Sequence, residues 1–255
     1  MGLFSSKFFG GKESEQEELF PFDLSHFKVD MHSHLIPGID DGSQTMDETI
    51  ALLAKFESLG YEKVITTPHI MSDFYKNTSE IILSGLDDVK NAIAGLDLNI
   101  EIEAAAEYYF DETLLDRLQK KEKLLTFGDN YVLFEFAFHA EPSHSDKLIF
   151  ELLSQGYKPV LAHFERYSFL FNNIEKAAKW REMGVNIQLN FNSLEGHYGP
   201  EVLKQAKALV DSKELDFVAT DCHRMDHLML IEENLTNPYY HKLGELELKN
   251  SELLG

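Results

Sequence analysis

Cysteine is nearly absent from this chain. Cys222 stands alone, so no intrachain disulfide can form and the fold must hold by packing. This fits a reducing compartment, and a cytoplasmic location is expected. No apolar run approaches the ~20 residues of a membrane span, so stable membrane insertion is not expected. Basic residues are also in short supply. The 23 Lys and Arg face 44 Asp and Glu, leaving a formal net charge of −21. Such a surface repels a nucleic-acid backbone and argues against DNA or RNA as substrate. Carboxylates that hold divalent cations would add to this formal count.

Several catalytic signatures are missing as well. There is no G-x-S-x-G elbow, no Walker loop and no G-x-G-x-x-G at a strand end. A cysteine phosphatase needs Arg six residues after its thiolate, and position 228 is Leu. Hydrolysis by metal-activated water is the chemistry left standing.

What is present is a large, aromatic-rich apolar complement: 44% hydrophobic residues, with 19 Phe and 10 Tyr, enough for a sizeable core. Residues 1–25 read as a flexible leader. Gly2 and Ser6 match only the loose myristoylation pattern. Residues 26–255 read as a single domain. Apolar strand-like runs alternate with amphipathic helices along it. Strands are expected at 27–31, 63–66, 99–105, 131–134, 158–162, 185–189 and 216–219. Between them Thr45 and Glu48 form a capping box that opens a helix stopped by Gly60. Ile82, Leu86, Val89 and Ile93 mark the apolar face of a second helix. Seven strand–helix units imply parallel strands with helical crossovers. They predict an α/β fold closed as a distorted (β/α)7 barrel, with an open doubly wound sheet as the competing layout.

Six of the seven expected strands run into His, Asp or Glu. In parallel α/β folds the carboxyl ends of the strands form the active face. His32, His34, Asp41, His69, Glu107, Glu135, His163, Asp221 and His223 should therefore converge. His32 and His34 are an H-x-H, and Asp221 and His223 a D-x-H. Period two would put each pair on one side of its strand. Imidazole and carboxylate together suit Zn, Mn or Fe ions. Glu135 lies in the apolar run Val132-Leu133-Phe134-Glu135-Phe136, where a carboxylate needs a partner. The remaining histidines (His26, His139, His144, His197, His227 and His241) read as surface or loop residues. Cys222 reads as a small packing residue.

At these residues the chain resembles the polymerase-and-histidinol-phosphatase (PHP) superfamily. It is more closely similar to the bacterial PHP-type tyrosine-protein phosphatases of capsule and exopolysaccharide biosynthesis. The similarity is carried by the stretch 30–42, reading D-M-H-S-H-L-I-P-G-I-D-D-G, and by Thr66-Thr-Pro-His69, Ala106-Glu-Tyr-Tyr109 and Leu133-Phe-Glu-Phe136. Leu161-Ala-His-Phe-Glu-Arg-Tyr167 and Ala219-Thr-Asp-Cys-His223 complete it.

The resemblance implies a PHP/TIM-like barrel and three divalent ions. Mn is the family's metal, and Fe, Zn or Mg are compatible with the ligands. His32, His34, Glu107 and Asp221 would hold the first ion. Glu107 would bridge to a second, shared with Glu135 and His163. Asp41, His69 and His223 would hold the third. Arg166 would bind phosphate and, with Glu107 and His163, form the catalytic set, a metal-bridging hydroxide being the nucleophile. The implied partner is a tyrosine-phosphorylated protein, the tail of a bacterial tyrosine kinase. Cys222 departs from the Met more usual there, and the loop 138–145 departs from relatives. Alternatives are a small-molecule (sugar or histidinol) phosphatase, an amidohydrolase, or a metal-stabilised binding module.

Overall fold

A computed structural model describes residues 19–255. The N-terminal expectation for residues 1–18 lies outside them. The fold starts earlier than residue 26: Leu24 is buried, and the Phe22 N–H donates to Leu235 O at 2.8 Å. The boundary of the leader at residue 25 is corrected accordingly.

The chain alternates short strands and helices. In order these are β1 (Val29–Asp30), α1 (Met46–Ser58), β2 (Lys63–Thr66), β3 (His69–Ile70) and α2 (Ser79–Ile93). Next come β4 (Glu101–Ala104), β5 (Glu107–Tyr109), α3 (Glu112–Gln119), β6 (Tyr131–Glu135), α4 (Ser145–Ser154) and β7 (Lys158–Leu161). The chain continues through α5 (Glu175–Glu182), β8 (Asn186–Asn190), α6 (Pro200–Ser212), β9 (Phe217–Ala219), α7 (Met225–Glu233) and α8 (Pro238–Gly244). The expected helix start is realised: Thr45 accepts from the Glu48 N–H while the Glu48 carboxylate reaches back to the Gln44 N–H at 2.7 Å.

Among the described residues, the pairings between these strands are all parallel. They form a three-stranded sheet, β1-β2-β4, and a six-stranded sheet, β3-β5-β6-β7-β8-β9. The second and third expected strands are realised as β2 and β4, and each is followed, after two residues, by a further short segment, β3 or β5. The gap after β2 is Thr67-Pro68, where Pro has no N–H to give to a ladder. The gap after β4 is Ala105-Ala106. Hydrogen bonding continues across both gaps, from Ala105 N to Thr66 O (2.8 Å) and from Glu107 N to Pro68 O (3.1 Å). His69 and Glu107 therefore open new strand segments instead of following a strand end.

Residues alternate between two apolar clusters along the strands. Val132 and Phe134 join the large cluster under the helices, while Leu133 joins a small one with Val29, Ile65, Val160, Phe217 and Ala219. That small cluster draws on strands of both sheets. The first and last strands are also tied together. Asp30 accepts from Thr220 N and Oγ1, at 2.8 and 3.1 Å. The Asn250 amide donates to Val29 O and Val218 O. Ser33 and Cys222 form a parallel bridge. These links bring the H-x-H beside the D-x-H, 189 residues further along the chain. Cys222 is fully buried, as expected of a packing residue.

Candidate metal centre

All nine candidate ligands meet at one place, around Glu107. Its Oε2 lies 3.0 Å from His69 Nδ1, 3.3 Å from His32 Nε2 and 3.5 Å from His34 Nε2. Its Oε1 lies 3.0 Å from His163 Nε2. Asp221 Oδ1 is 3.3 Å from His32 Nε2 and 3.6 Å from His34 Nε2. Glu135 reaches His69 and His163, at 3.2 and 3.7 Å. Asp41, half exposed at the mouth, lies 3.4 Å from His223 and 3.6 Å from His69.

The residues that aim these side chains are conformationally unusual. Asp221 and His163 adopt φ of +50° and +34°, the left-handed region that costs an L-residue roughly 1–2 kcal/mol. Strand β9 ends at Ala219, so Asp221 and His223 do not meet by strand alternation. They meet because the backbone turns left-handed at Asp221, and the two side chains then come within 3.5 Å. Strain of this kind persists where surrounding contacts hold it, here the bond from Asp221 N to His32 O at 2.9 Å.

The charge state of the cluster follows from its packing. Burial opposes ionisation of Glu107, yet His32 and His69 hold its carboxyl well below the usual range. Burial likewise opposes a charge on Asp221, and His32, His34 and His223 hold it low. Burial disfavours charge on His34, but Asp40 lifts its pKa to about 10. The carboxylates are thus held ionised by the positive charge of neighbouring imidazoles such as His34, charge that divalent ions in the same place would supply instead.

Hydrogen bonds do not satisfy every atom of the site. Glu107 Oε2 and His69 Nδ1 are buried at the centre with no hydrogen-bond partner among the described residues. Glu107 Oε2 and His69 Nδ1 lie 3.0 Å apart but are not aligned as donor and acceptor. Lone pairs that converge without bonding are the arrangement a shared cation requires. Four sets of ligand atoms lie within 4.8 Å of one another: His34, Asp41, His69 and His223; His32, His34 and Asp221; His32, Glu107 and His163; His69, Glu107 and Glu135. The residues fit divalent ions. The sets cut across the division implied by the resemblance, because His34 lies with Asp41 as well as with His32, and His69 with Glu135.

Arg166 reaches the same centre. Its Nη1 donates to Asp221 Oδ2 at 3.0 Å. Its guanidinium lies between the rings of Phe138 and Tyr198, 4.4 and 4.3 Å from their centroids. Two aromatic faces stabilise the cation and fix its plane. A cavity of about 560 Å³ opens above the cluster, walled by Tyr75, Tyr109, Phe138 and Tyr198. Phe74, 78% exposed, stands at its edge.

The structure adds residues that the sequence did not single out. Asp40 accepts from His34 Nδ1 at 2.8 Å and from the His69 N–H at 3.1 Å. Its carboxyl is held down to about 2: burial opposes this, and His34 outweighs it. The I-D-D-G motif therefore supplies one carboxylate to the mouth and another behind His34. Gln188 contacts His32, and Asn190 contacts Asp221. His227, expected at the surface, is buried, with Nδ1 3.2 Å from Asp221 O. Residues 220–224, the D-x-H among them, link β9 to α7, and the first turn of that helix brings His227 against Asp221. His197 lines the cavity but is exposed, and His26, His139 and His144 are exposed as expected.

Comparison with known proteins agrees with this geometry. The family model for capsular polysaccharide synthesis, CpsB/CapC, matches residues 28–235. The chain is 28% identical to CapC of Staphylococcus aureus, a protein named for an inferred tyrosine-phosphatase activity, over 89% of this chain and 90% of that one. It is 28% identical to the tyrosine-protein phosphatase CpsB of Streptococcus pneumoniae, over 78% of this chain and 84% of that one. A crystal structure from the pair YwqE of Bacillus subtilis and CpsB of S. pneumoniae, described as metal-dependent tyrosine phosphatases, superposes with a TM-score of 0.75. That match has 26% identity and covers 89% of this chain and 94% of the other. An amidohydrolase from Mycoplasma synoviae shares the fold at 12% identity and a TM-score of 0.53, covering 93% of this chain and 92% of that one. With the family model spanning most of its length, this chain belongs to the CpsB/CapC family of capsular polysaccharide synthesis.

Proposed function

We propose that this chain is a metal-dependent protein-tyrosine phosphatase acting in the regulation of capsule or exopolysaccharide synthesis. One observation carries the proposal. Nine His, Asp and Glu side chains meet with Arg166 at the floor of an aromatic-walled cavity. The tyrosine-phosphatase relatives and the crystal structure of metal-dependent tyrosine phosphatases support it. The two parallel sheets, read together with the Ser33–Cys222 bridge, are proposed to form one distorted seven-stranded barrel, (β/α)7 in plan. Residues 26–255, with the short ordered segment before them, form its single domain. The proposed location is the cytoplasm. The proposed partner is a tyrosine-phosphorylated protein, the tail of a bacterial tyrosine kinase.

The nine residues are proposed to hold three divalent ions, with manganese the preferred metal. When bound, such ions acidify water and screen phosphoryl charge. The chain does the rest. Arg166, its plane set by Phe138 and Tyr198, offers the N–H groups not used on Asp221 to the phosphoryl oxygens. Glu107 and His163, 3.0 Å apart, would hold metal at the centre of the site and so fix where the attacking oxygen is delivered. Tyr75, Tyr109, Phe138 and Tyr198 present ring faces to an aryl substituent. The phenolate leaving group has a parent pKa of about 10, so it departs without a strong general acid.

The test is turnover of a phosphotyrosyl peptide, a sugar phosphate and histidinol phosphate across a series of divalent metals. The phosphotyrosyl peptide should be preferred by kcat/KM. A preference for either small ester would overturn the substrate assignment.

A further inference from the structure

Of the strands expected from sequence, one runs into no candidate ligand: β8, which ends in Asn190. Two of its polar residues, Gln188 and Asn190, are buried against the metal centre. The Gln188 Oε1 lies 2.8 Å from the backbone N of His163 and 3.2 Å from His32 Nδ1. The Gln188 Nε2 lies 2.7 Å from Asn190 Oδ1, and Asn190 Nδ2 lies 2.8 Å from Asp221 Oδ2.

Chemistry at the two ends sets the direction of this chain of bonds. A backbone N–H can only donate, so the Gln188 atom facing His163 must be its oxygen. A carboxylate that keeps its charge can only accept, so the Asn190 atom facing Asp221 must be its nitrogen. The bond between the two amides then runs one way, from Gln188 to Asn190. His32 faces the Gln188 oxygen with Nδ1, and that nitrogen must carry the proton. In the neutral ring Nε2 is then left bare, and Nε2 is the atom that faces Glu107 and Asp221.

We infer that Gln188 and Asn190 form a positioning relay that sets the tautomer of His32, the loop bearing His163 and the rotamer of Asp221, and so prepares ligands from three other strands for metal. Asp221 is braced twice on Oδ2, by Asn190 and by Arg166, which leaves Oδ1 toward His32 and His34. The relay is further anchored by Glu165, whose Oε1 accepts from the Asn190 N–H at 3.0 Å and from Ser193 Oγ at 2.6 Å. Neither amide lines the substrate cavity. The inference rests on the metal-centre part of the proposed function and not on the identity of the substrate.

The experiment is manganese binding, measured by competition with a chromophoric chelator on the full chain, with circular dichroism and thermal melting of the metal-free protein as the fold check. Removing an outer partner of this kind costs about 10- to 100-fold in metal affinity. Gln188→Met, similar in volume but unable to accept or donate as an amide, should lose affinity on that scale while the metal-free protein stays folded. Gln188→Glu still accepts from His32 and His163 and should bind manganese more tightly than Gln188→Met. Should Gln188→Met fail to fold, Asn190→Ala carries the test, because it leaves the bonds to His32 and His163 in place. It should weaken binding by about tenfold through Asp221 alone. Wild-type affinity in folded Gln188→Met or Asn190→Ala, or no gain from Gln188→Glu over Gln188→Met, would overturn the relay. A protein that binds manganese as described but prefers another phosphoester would refute the substrate and leave the relay standing.

Discussion

Gly42→Ala is a one-carbon change that should disable the metal centre. A Cβ at residue 42 would sit 2.1 Å from His34 O and 2.4 Å from His34 Cβ. Both atoms belong to the backbone or the root of the side chain, so no distal rotamer change relieves the clash. Side chains do not approach closer than 3.0 Å in this way, which demands a displacement of roughly 1 Å between the two segments. His34 cannot yield easily. Its carbonyl accepts from the Ser43 N–H at 3.0 Å, its Nδ1 is held by Asp40, and its ring stacks on His223 with centroids 4.0 Å apart. A 1 Å misplacement of a catalytic group costs on the order of 100-fold in rate. Overpacking of this kind also costs about 1–3 kcal/mol in stability. In a chain of this size each kcal/mol lowers Tm by about 2–4 °C. The assay is kcat/KM on a phosphotyrosyl peptide, alongside metal content and a melting curve. A folded Gly42→Ala with wild-type turnover and full metal content would refute the reasoning that residue 42 sets the position of His34.

Three further predictions concern the same cavity. Glu107→Ala and His163→Ala should each abolish phosphatase turnover while circular dichroism remains native, since both side chains lie at the centre of the cluster; activity retained in either variant would sink the assigned site. Phe74→Ala should raise KM for phosphotyrosyl peptides several-fold and leave kcat unaltered, because this exposed ring borders the cavity without touching the cluster. Its Tm should hardly move, a surface change away from caps and cores being worth within about 0.5 kcal/mol, and an unchanged KM would remove Phe74 from substrate recognition. Chelation should stop turnover and lower Tm, with both restored by added manganese. Binding at 100-fold above Kd stabilises a native state by about 2.7 kcal/mol, so a metal-independent Tm would contradict a centre built from buried ligands.

Sequence alone determined the local features of this protein. The alternation of β-branched runs with amphipathic segments is a short-range pattern, and so is the Thr45–Glu48 cap, and both were legible residue by residue. The nine ligand candidates were legible too, since His, Asp and Glu are conspicuous where an apolar strand gives way to a loop. The short segments β3 and β5, each set off from the strand before it by two residues, were not. The interruption at Pro68 carried a local signal, but the one at Ala105-Ala106 has no composition to mark it. There β4 pairs with β2, and β5 with β3 and β6. The D-x-H pair was found for the wrong reason, because its side chains are brought together by a left-handed turn at Asp221, which Asp tolerates better than most residues and which its bond to His32 O holds in place.

The supporting polar groups depended on tertiary structure in the same way. Asp40, Gln188, Asn190 and His227 are ordinary residue types in ordinary loop, strand or helix positions. Their roles arise from partners brought together from distant parts of the chain, as with Gln188 and His32, 156 residues apart. A ligand advertises itself by its chemistry, so the sequence displays it. A group that orients a ligand is defined by direction and distance, and those exist only once the strands have been brought side by side.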